Sequence, residues 1–157
     1  MKAGTRFSAQ AFLDSPGPAK TISEYRRGET VFTQGDACQH VFYIQMGGVR
    51  LSALSSTGQE VVVATLGPGD FFGEGCLAGQ PIRVGTATAM TPSVILLVAR
   101  AKMVRLLRQE LAMADRFIAQ MLSRTIRTEE DLLDQLFSSI EKRHGQADKR
   151  RAGGSRT

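Results

Sequence analysis

The chain has 157 residues, enough for one domain that buries a real core, with some extension beyond it. Its formal net charge of +5 is carried by residues 142–157, where six basic side chains stand against one acid, Asp148; the balanced remainder gives no support to nucleic-acid binding by the folded body. No apolar run reaches the length of a membrane span, and the N-terminus lacks a signal-peptide core, so the expected compartment is the cytoplasm with no membrane partner.

Residues 1–20 read as an N-terminal extension, in which Ser15-Pro16-Gly17-Pro18 stops any helix begun by Ala9–Leu13. From Thr21 the pattern changes to short segments of β character. Thr21–Tyr25 and Thr30–Phe32 are expected strands, and Gln34-Gly35-Asp36 is a turn signal. The β-branched and aromatic run His40–Gln45 reads as a strand, and Met46-Gly47-Gly48 turns it into Val49–Leu54. Ser55-Ser56-Thr57-Gly58 turns again into Glu60–Leu66, and Gly67-Pro68-Gly69-Asp70 leads on to the next stretch. Thr86–Ala89 and Val94–Ala99 return as strands around Thr91-Pro92-Ser93. Short strands between turn signals, without crossover helices, predict an antiparallel barrel or sandwich and exclude a parallel dinucleotide-binding sheet.

The stretch Phe71–Ala89, FFGEGCLAGQPIRVGTATA, interrupts that rhythm. A Gly-rich turn leading into a short helix presents backbone N–H groups to an anion, and Arg83 adds a planar, permanently charged fork. Glu74 accepts hydrogen bonds only, which suits a sugar hydroxyl. These features together describe a pocket for a nucleotide monophosphate. A plain connection with glycines at its corners, in which Glu74 and Arg83 pair with each other, accounts for the same residues.

At Arg100 the period becomes helical. Ala101–Gln109 is one short helix, and Ala112 to about Arg143 is a long one, a rod of about 45 Å. Ile118, Leu122, Thr125, Glu129, Leu132 and Leu136 alternate spacings of four and three, a heptad seam that favours a homodimer over a helix that merely overshoots its own barrel. A second line, Phe117, Met121, Leu133, Phe137 and Ile140, is expected to face the barrel. Residues 144–157 have no apolar side chain larger than alanine and read as a basic, unstructured tail. The expected divisions are 1–20, a barrel with its short helix over 21–110, a dimer helix over 111–143, and the tail.

Cys38 and Cys76 have neither CxxC nor cysteine–histidine spacing, so metal binding and a disulfide framework are not indicated and two reduced thiols are expected. No nucleophile–base pair or paired carboxylates point to an enzyme, and no cofactor is implied.

The ordered set of motifs resembles the sensor half of the Crp/Fnr (catabolite activator protein) family. It comprises Arg27-Gly28-Glu29 before Val31-Phe32, Gln34-Gly35-Asp36, Tyr43-Ile44 with Gly47-Gly48-Val49, Gly67-Pro68-Gly69-Asp70-Phe71-Phe72-Gly73-Glu74, and Arg83 ahead of Thr86-Ala87. The resemblance covers about residues 20–143 and implies a jelly-roll barrel of the cyclic nucleotide-binding type followed by a long dimerisation helix. It implies a cyclic nucleotide, cAMP or cGMP, as effector. Gly73, Glu74, Gly75 and Cys76 would hold its phosphate and ribose, with Arg83 on the phosphate and Val84 beside it, where the family often has a small hydroxyl or alanine. Thr128 would face the base, and Arg124 would reach toward the Glu74 region. Gly75-Cys76 departs from the larger aliphatic residues or alanine usual in the family. No helix-turn-helix follows the long helix here, so DNA contact is expected only through a domain absent from this chain. The alternative expectation is a barrel with a degenerate pocket that dimerises with itself or with full-length relatives.

Overall fold

The structure, a computed structural model, describes residues 20–154, with 143–154 as backbone only; the reading of Ala9–Leu13 and Ser15–Pro18 lies outside the described residues. Eight strands precede two helices: β1 Lys20–Tyr25, β2 Thr30–Phe32, β3 His40–Met46, β4 Val49–Leu54, β5 Glu60–Leu66, β6 Phe71–Phe72, β7 Thr86–Ala89 and β8 Ser93–Ala99, then α1 Arg100–Gln109 and α2 Leu111–Gly154. A 3-10 turn over Glu74–Ala78 lies between β6 and β7. Two four-stranded sheets, ordered β1-β8-β3-β6 and β2-β7-β4-β5, are antiparallel throughout. This bears out the antiparallel barrel or sandwich expected from short strands separated by turns, and it fits the jelly-roll that the family resemblance implies.

The core follows from the strand period. On β3, Phe42 and Ile44 point to one face and Val41 and Tyr43 to the other, and all four are buried. The first face joins Val49, Leu66, Phe72, Ala87 and Ile95 between the sheets. There Phe42 stacks on Phe72 at 5.1 Å, and Phe32 approaches both rings. On the opposite face Tyr43 meets Phe71 at 4.8 Å, and Phe71 meets Phe117 edge-on at 5.4 Å, so the first turns of α2 cover the sheet. β6 was not expected as a strand. Two residues carry no period, yet Phe42↔Phe72 and Tyr43↔Phe71 register it against β3.

Two compact units result, one ending at Phe117 and the other beginning at Ile118. In the second, Ile118, Leu122, Ile126, Leu132, Leu133, Leu136, Phe137 and Ile140 are each 51–59% exposed. At 100° per residue these side chains occupy one arc of about 140°. The expected second line is therefore corrected. Leu133 follows Met121 by twelve residues, which rotates it by about a third of a turn. Leu133, Phe137 and Ile140 consequently lie beside the seam, and only Phe117 of that line is buried. Thr125 and Glu129 fall in the same arc and are exposed.

α2 also continues to Gly154, through eleven of the residues expected to form an unstructured tail. Once a helix is nucleated each further residue needs only propagation. The run from Gln146 to Ala152 is rich in Lys, Arg, Gln and Ala, which propagate well. Residues 155–157 lie outside the described residues.

Candidate functional site

The sequence between β6 and β7 folds around glycine. Gly73 has φ 73° and caps the 3-10 turn, and a Cβ there would stand 2.7 Å from the Phe42 ring and 2.9 Å from Nη1 of Arg83. Only glycine fits both the left-handed backbone and that close approach. Gly79 closes the turn, and its N–H donates to the Cys76 carbonyl.

Arg83 is positioned by a second strip of backbone. Its N–H donates to the Asp36 carbonyl at 2.7 Å, and its own carbonyl accepts from Gly35 at 2.8 Å. The Gln34-Gly35-Asp36 turn thus fixes where the arginine emerges. The side chain is only 5% exposed, with its guanidinium carbon 4.2 Å from the Phe32 ring centre and 5.2 Å from that of Phe42. Nη1 donates to the Gly73 carbonyl and Nη2 to the His40 carbonyl, both at 2.7 Å, while Nε is buried without a hydrogen-bond partner. Two charge-assisted bonds on flat aromatic support hold the guanidinium in one place and tie β3 to the start of the 3-10 turn.

Above this anchor lies a cavity of about 420 Å³, within the range of about 300–1,000 Å³ usual for small-molecule sites. Phe32, Leu51, Val63 and Val84 give it an apolar wall, and Ser52, Glu74, Gln80, Arg83 and Thr86 supply its polar groups. Gly73 and Gly75 line it as well. The structure therefore brings together Gly73, Glu74, Gly75 and Arg83 around one space, with Cys76 buried behind them. Val84 lines the same space and is 66% exposed, contributing bulk but no hydrogen bond from its side chain.

Gln80 was not anticipated. A Cβ on Gly75 would collide with its Oε1, so the Gln80 carboxamide occupies the volume that a side chain at position 75 would fill. Its backbone N–H donates to the Gly75 carbonyl at 3.0 Å. The absence of bulk at Gly75 was the available signal; its partner five residues on was not.

Arg124 and Thr128 lie on α2 in the second unit, one helical turn apart. The Thr128 hydroxyl donates to the Arg124 carbonyl at 2.9 Å, and the Thr125 hydroxyl donates likewise to Met121 at 3.0 Å. Both hydroxyls close on their own helix, a common solution for threonine inside a helix.

Cys38 and Cys76 are both buried and reduced. The Cys76 thiol lies 3.7 Å from the His40 carbonyl oxygen. Burial pushes that thiol above its ordinary value, the neighbouring Cys38 adds to the shift, and Arg83 opposes it. Among the described residues no group of three metal-binding side chains occurs, and no helix is long and apolar enough to cross a membrane.

Comparison with known proteins shows the family and the fold. The cyclic nucleotide-binding domain family matches residues 22–110. The chain is 35% identical over 120 residues to the cyclic AMP receptor protein of Thermus thermophilus, covering 76% of this chain and 55% of that one. It is 32% identical over 110 residues to the global nitrogen regulator of Synechococcus elongatus, covering 69% and 50%. The solved structure of the Thermus thermophilus catabolite activator protein superimposes with a TM-score of 0.63 at 33% identity, covering 76% of this chain and 55% of that one. The chain thus spans about half the length of these relatives.

Proposed function

Because the chain belongs to the cyclic nucleotide-binding domain family, as a sensor domain of the Crp/Fnr regulator type, we propose that its barrel cavity takes a cyclic nucleotide, with cAMP favoured, and that the chain dimerises through α2. The observation that carries this reading is the arrangement of Arg83, Glu74 and the glycine-lined turn around one cavity. The cyclic phosphate lies against the backbone of Gly73, Gly75 and Cys76 and beside the Arg83 guanidinium. The Glu74 carboxylate accepts from the ribose 2′-hydroxyl. The name of the Thermus receptor supports cAMP, since that relative is the cyclic AMP receptor protein of its organism.

The dimer follows from the unpartnered arc on α2. Ligand occupancy shifts the arrangement of the two helices only by the difference between its affinities for the two states. Transfer of that shift to DNA requires a DNA-binding domain, which the described residues do not contain.

One observation favours a second reading. Both Nη atoms of Arg83 already donate to backbone carbonyls, and Val84 offers no hydroxyl to a phosphate. In that case the pocket is degenerate, Arg83 serves as a structural tie, and the chain acts by pairing with itself or with full-length relatives.

Calorimetric titration of the purified chain with cAMP and cGMP separates the two. Micromolar binding that weakens at least tenfold in Glu74→Ala, whose thermal midpoint is checked in parallel, supports the sensor. Absence of heat with both nucleotides sinks it and leaves the pairing module.

A further inference from the structure

Among the described residues two serines are buried, and the fold uses only one of their hydroxyls. Ser93, 3% exposed, donates to the Thr91 carbonyl at 2.8 Å and accepts from the Gly48 N–H at 3.1 Å. Ser52 on β4 is 5% exposed, and its hydroxyl has no hydrogen-bond partner among the described residues. Nor is that oxygen one of the buried polar atoms sealed off from any contact. Ser52 lines the cavity, so the little surface it keeps opens there. A hydroxyl removed from bulk water without a partner costs free energy, which calls for a partner from outside the chain.

The fold holds this position firmly. Ser52 stands in register with Thr86 of β7. Two residues on, the Leu54 N–H donates to the Gln34 carboxamide oxygen at 3.0 Å, and the Gln34 N–H donates to Oγ1 of Thr86 at 3.0 Å. Gly85 lets the two strands approach, since a Cβ there would stand 2.7 Å from the Ser52 carbonyl oxygen. Cross-strand partners share a face, with Cβ atoms about 5 Å apart. Ser52 and Thr86 therefore bring two hydroxyls to one wall of the cavity. Thr86 already accepts from Gln34, which leaves its hydrogen to donate, whereas Ser52 is free to do either.

The rest of that wall is Phe32, Leu51, Val63 and Val84. Apolar surface interrupted by two hydroxyls is the complement of a flat heteroaromatic ring with a hydrogen-bonding edge. The cyclic nucleotide reading assigns the phosphate and ribose to the 3-10 turn, Arg83 and Glu74, and so leaves this wall to the base. Resting on that reading, we propose that Ser52 is a specificity-determining residue of the cavity, whose hydroxyl bonds the polar edge of the ligand's purine with Thr86 beside it.

The test is calorimetric titration of the intact chain and of Ser52→Ala with cAMP, cGMP and benzimidazole riboside 3′,5′-cyclic monophosphate. The six-membered ring of the last has no hydrogen-bonding atom. Ser52→Ala should weaken the better-bound purine nucleotide about fivefold, the worth of one neutral hydrogen bond, and leave the benzimidazole compound unchanged. Its thermal midpoint without nucleotide should not fall, because no bond within the fold is lost. Equal weakening toward all three compounds would put the hydroxyl on the phosphate or ribose and overturn the proposal. An unchanged purine affinity, or a fallen midpoint without nucleotide, would overturn it as well. These outcomes leave the cyclic nucleotide reading standing, whereas an intact chain that binds none of the three ends both.

Discussion

The two units of this chain solve opposite problems. The barrel, through Phe117, has a packed core, with Phe42, Ile44, Phe72 and Ile95 between the sheets, Phe71 against Phe117 and Arg83 on two carbonyls, while apolar side chains such as Ile22, Val61, Val62 and Val63 stay exposed at its surface. From Ile118 onward the helix leaves eight large apolar side chains more than half exposed on one arc. An arc of that size has no stabilising purpose in a solitary helix, because isolated helices draw most of their stability from packing a face against something. The barrel carries a core of its own, whereas the helix from Ile118 onward carries its large apolar side chains on an exposed arc.

That contrast can be broken from the barrel side first. Phe72 is fully buried and stacked on Phe42. Phe72→Ala should cost about 3–5 kcal/mol in a denaturant titration, whereas Leu132→Ala, on the exposed arc, should leave the barrel transition where it is. Equal losses would show that the two units are not energetically distinct.

Arg83→Met removes the donors to the Gly73 and His40 carbonyls while keeping most of the apolar stem. It should destabilise the ligand-free barrel by about 3 kcal/mol, because two part-buried carbonyls lose charged donors. An unchanged midpoint would mean that the guanidinium is not a structural tie and is held only for a ligand.

A smaller effect is expected at Gly73. Gly73→Ala places a methyl against the Phe42 ring and Arg83 at a positive φ, and about 1–3 kcal/mol should be lost. Cavity binding should fall with it, since the Gly73 carbonyl would no longer sit under Arg83.

The smallest effect is in the alkaline range. Burial raises the Cys76 thiol and the Tyr25 and Tyr43 phenols, with Cys38 adding to the first, Glu29 to the second and Asp70 to the third. Arg83, a hydrogen bond from Ser23, and Arg116 oppose these shifts in turn. An acid raised in the fold stays protonated where the unfolded chain has already ionised, so the unfolded state holds fewer protons and stability falls with rising pH. The stability is intact below the ordinary thiol value of about 8.5 and declines as pH climbs toward the raised values. Denaturant midpoints across that range should drop in the barrel and be flatter at the lower end in Cys76→Ser.

Most of the barrel could be read from the sequence because its strands alternate between turns that state their own geometry. Thr30–Phe32, Val49–Leu54, Glu60–Leu66 and Thr86–Ala89 lie where pattern placed them. β6 had too few residues to show a period and is defined only by its register with β3. The chemistry of Arg83 and Glu74 was visible as residue types at one spacing. The inward anchoring of Arg83 and the Gln80 carboxamide over Gly75 depend on which loops the sheets bring together. No local pattern encodes that. On the helix one apolar stripe was legible, but joining Phe117 and Met121 to Leu133 across twelve residues ignored the rotation that 3.6 residues per turn imposes.

The central contrast is tested most directly by sedimentation velocity on the intact chain, alongside Leu132→Glu/Leu136→Glu. Two-chain mass for the intact protein is predicted at micromolar concentration, falling to one-chain mass in the double variant with the barrel's thermal midpoint unchanged. One-chain mass for the intact protein would contradict the account.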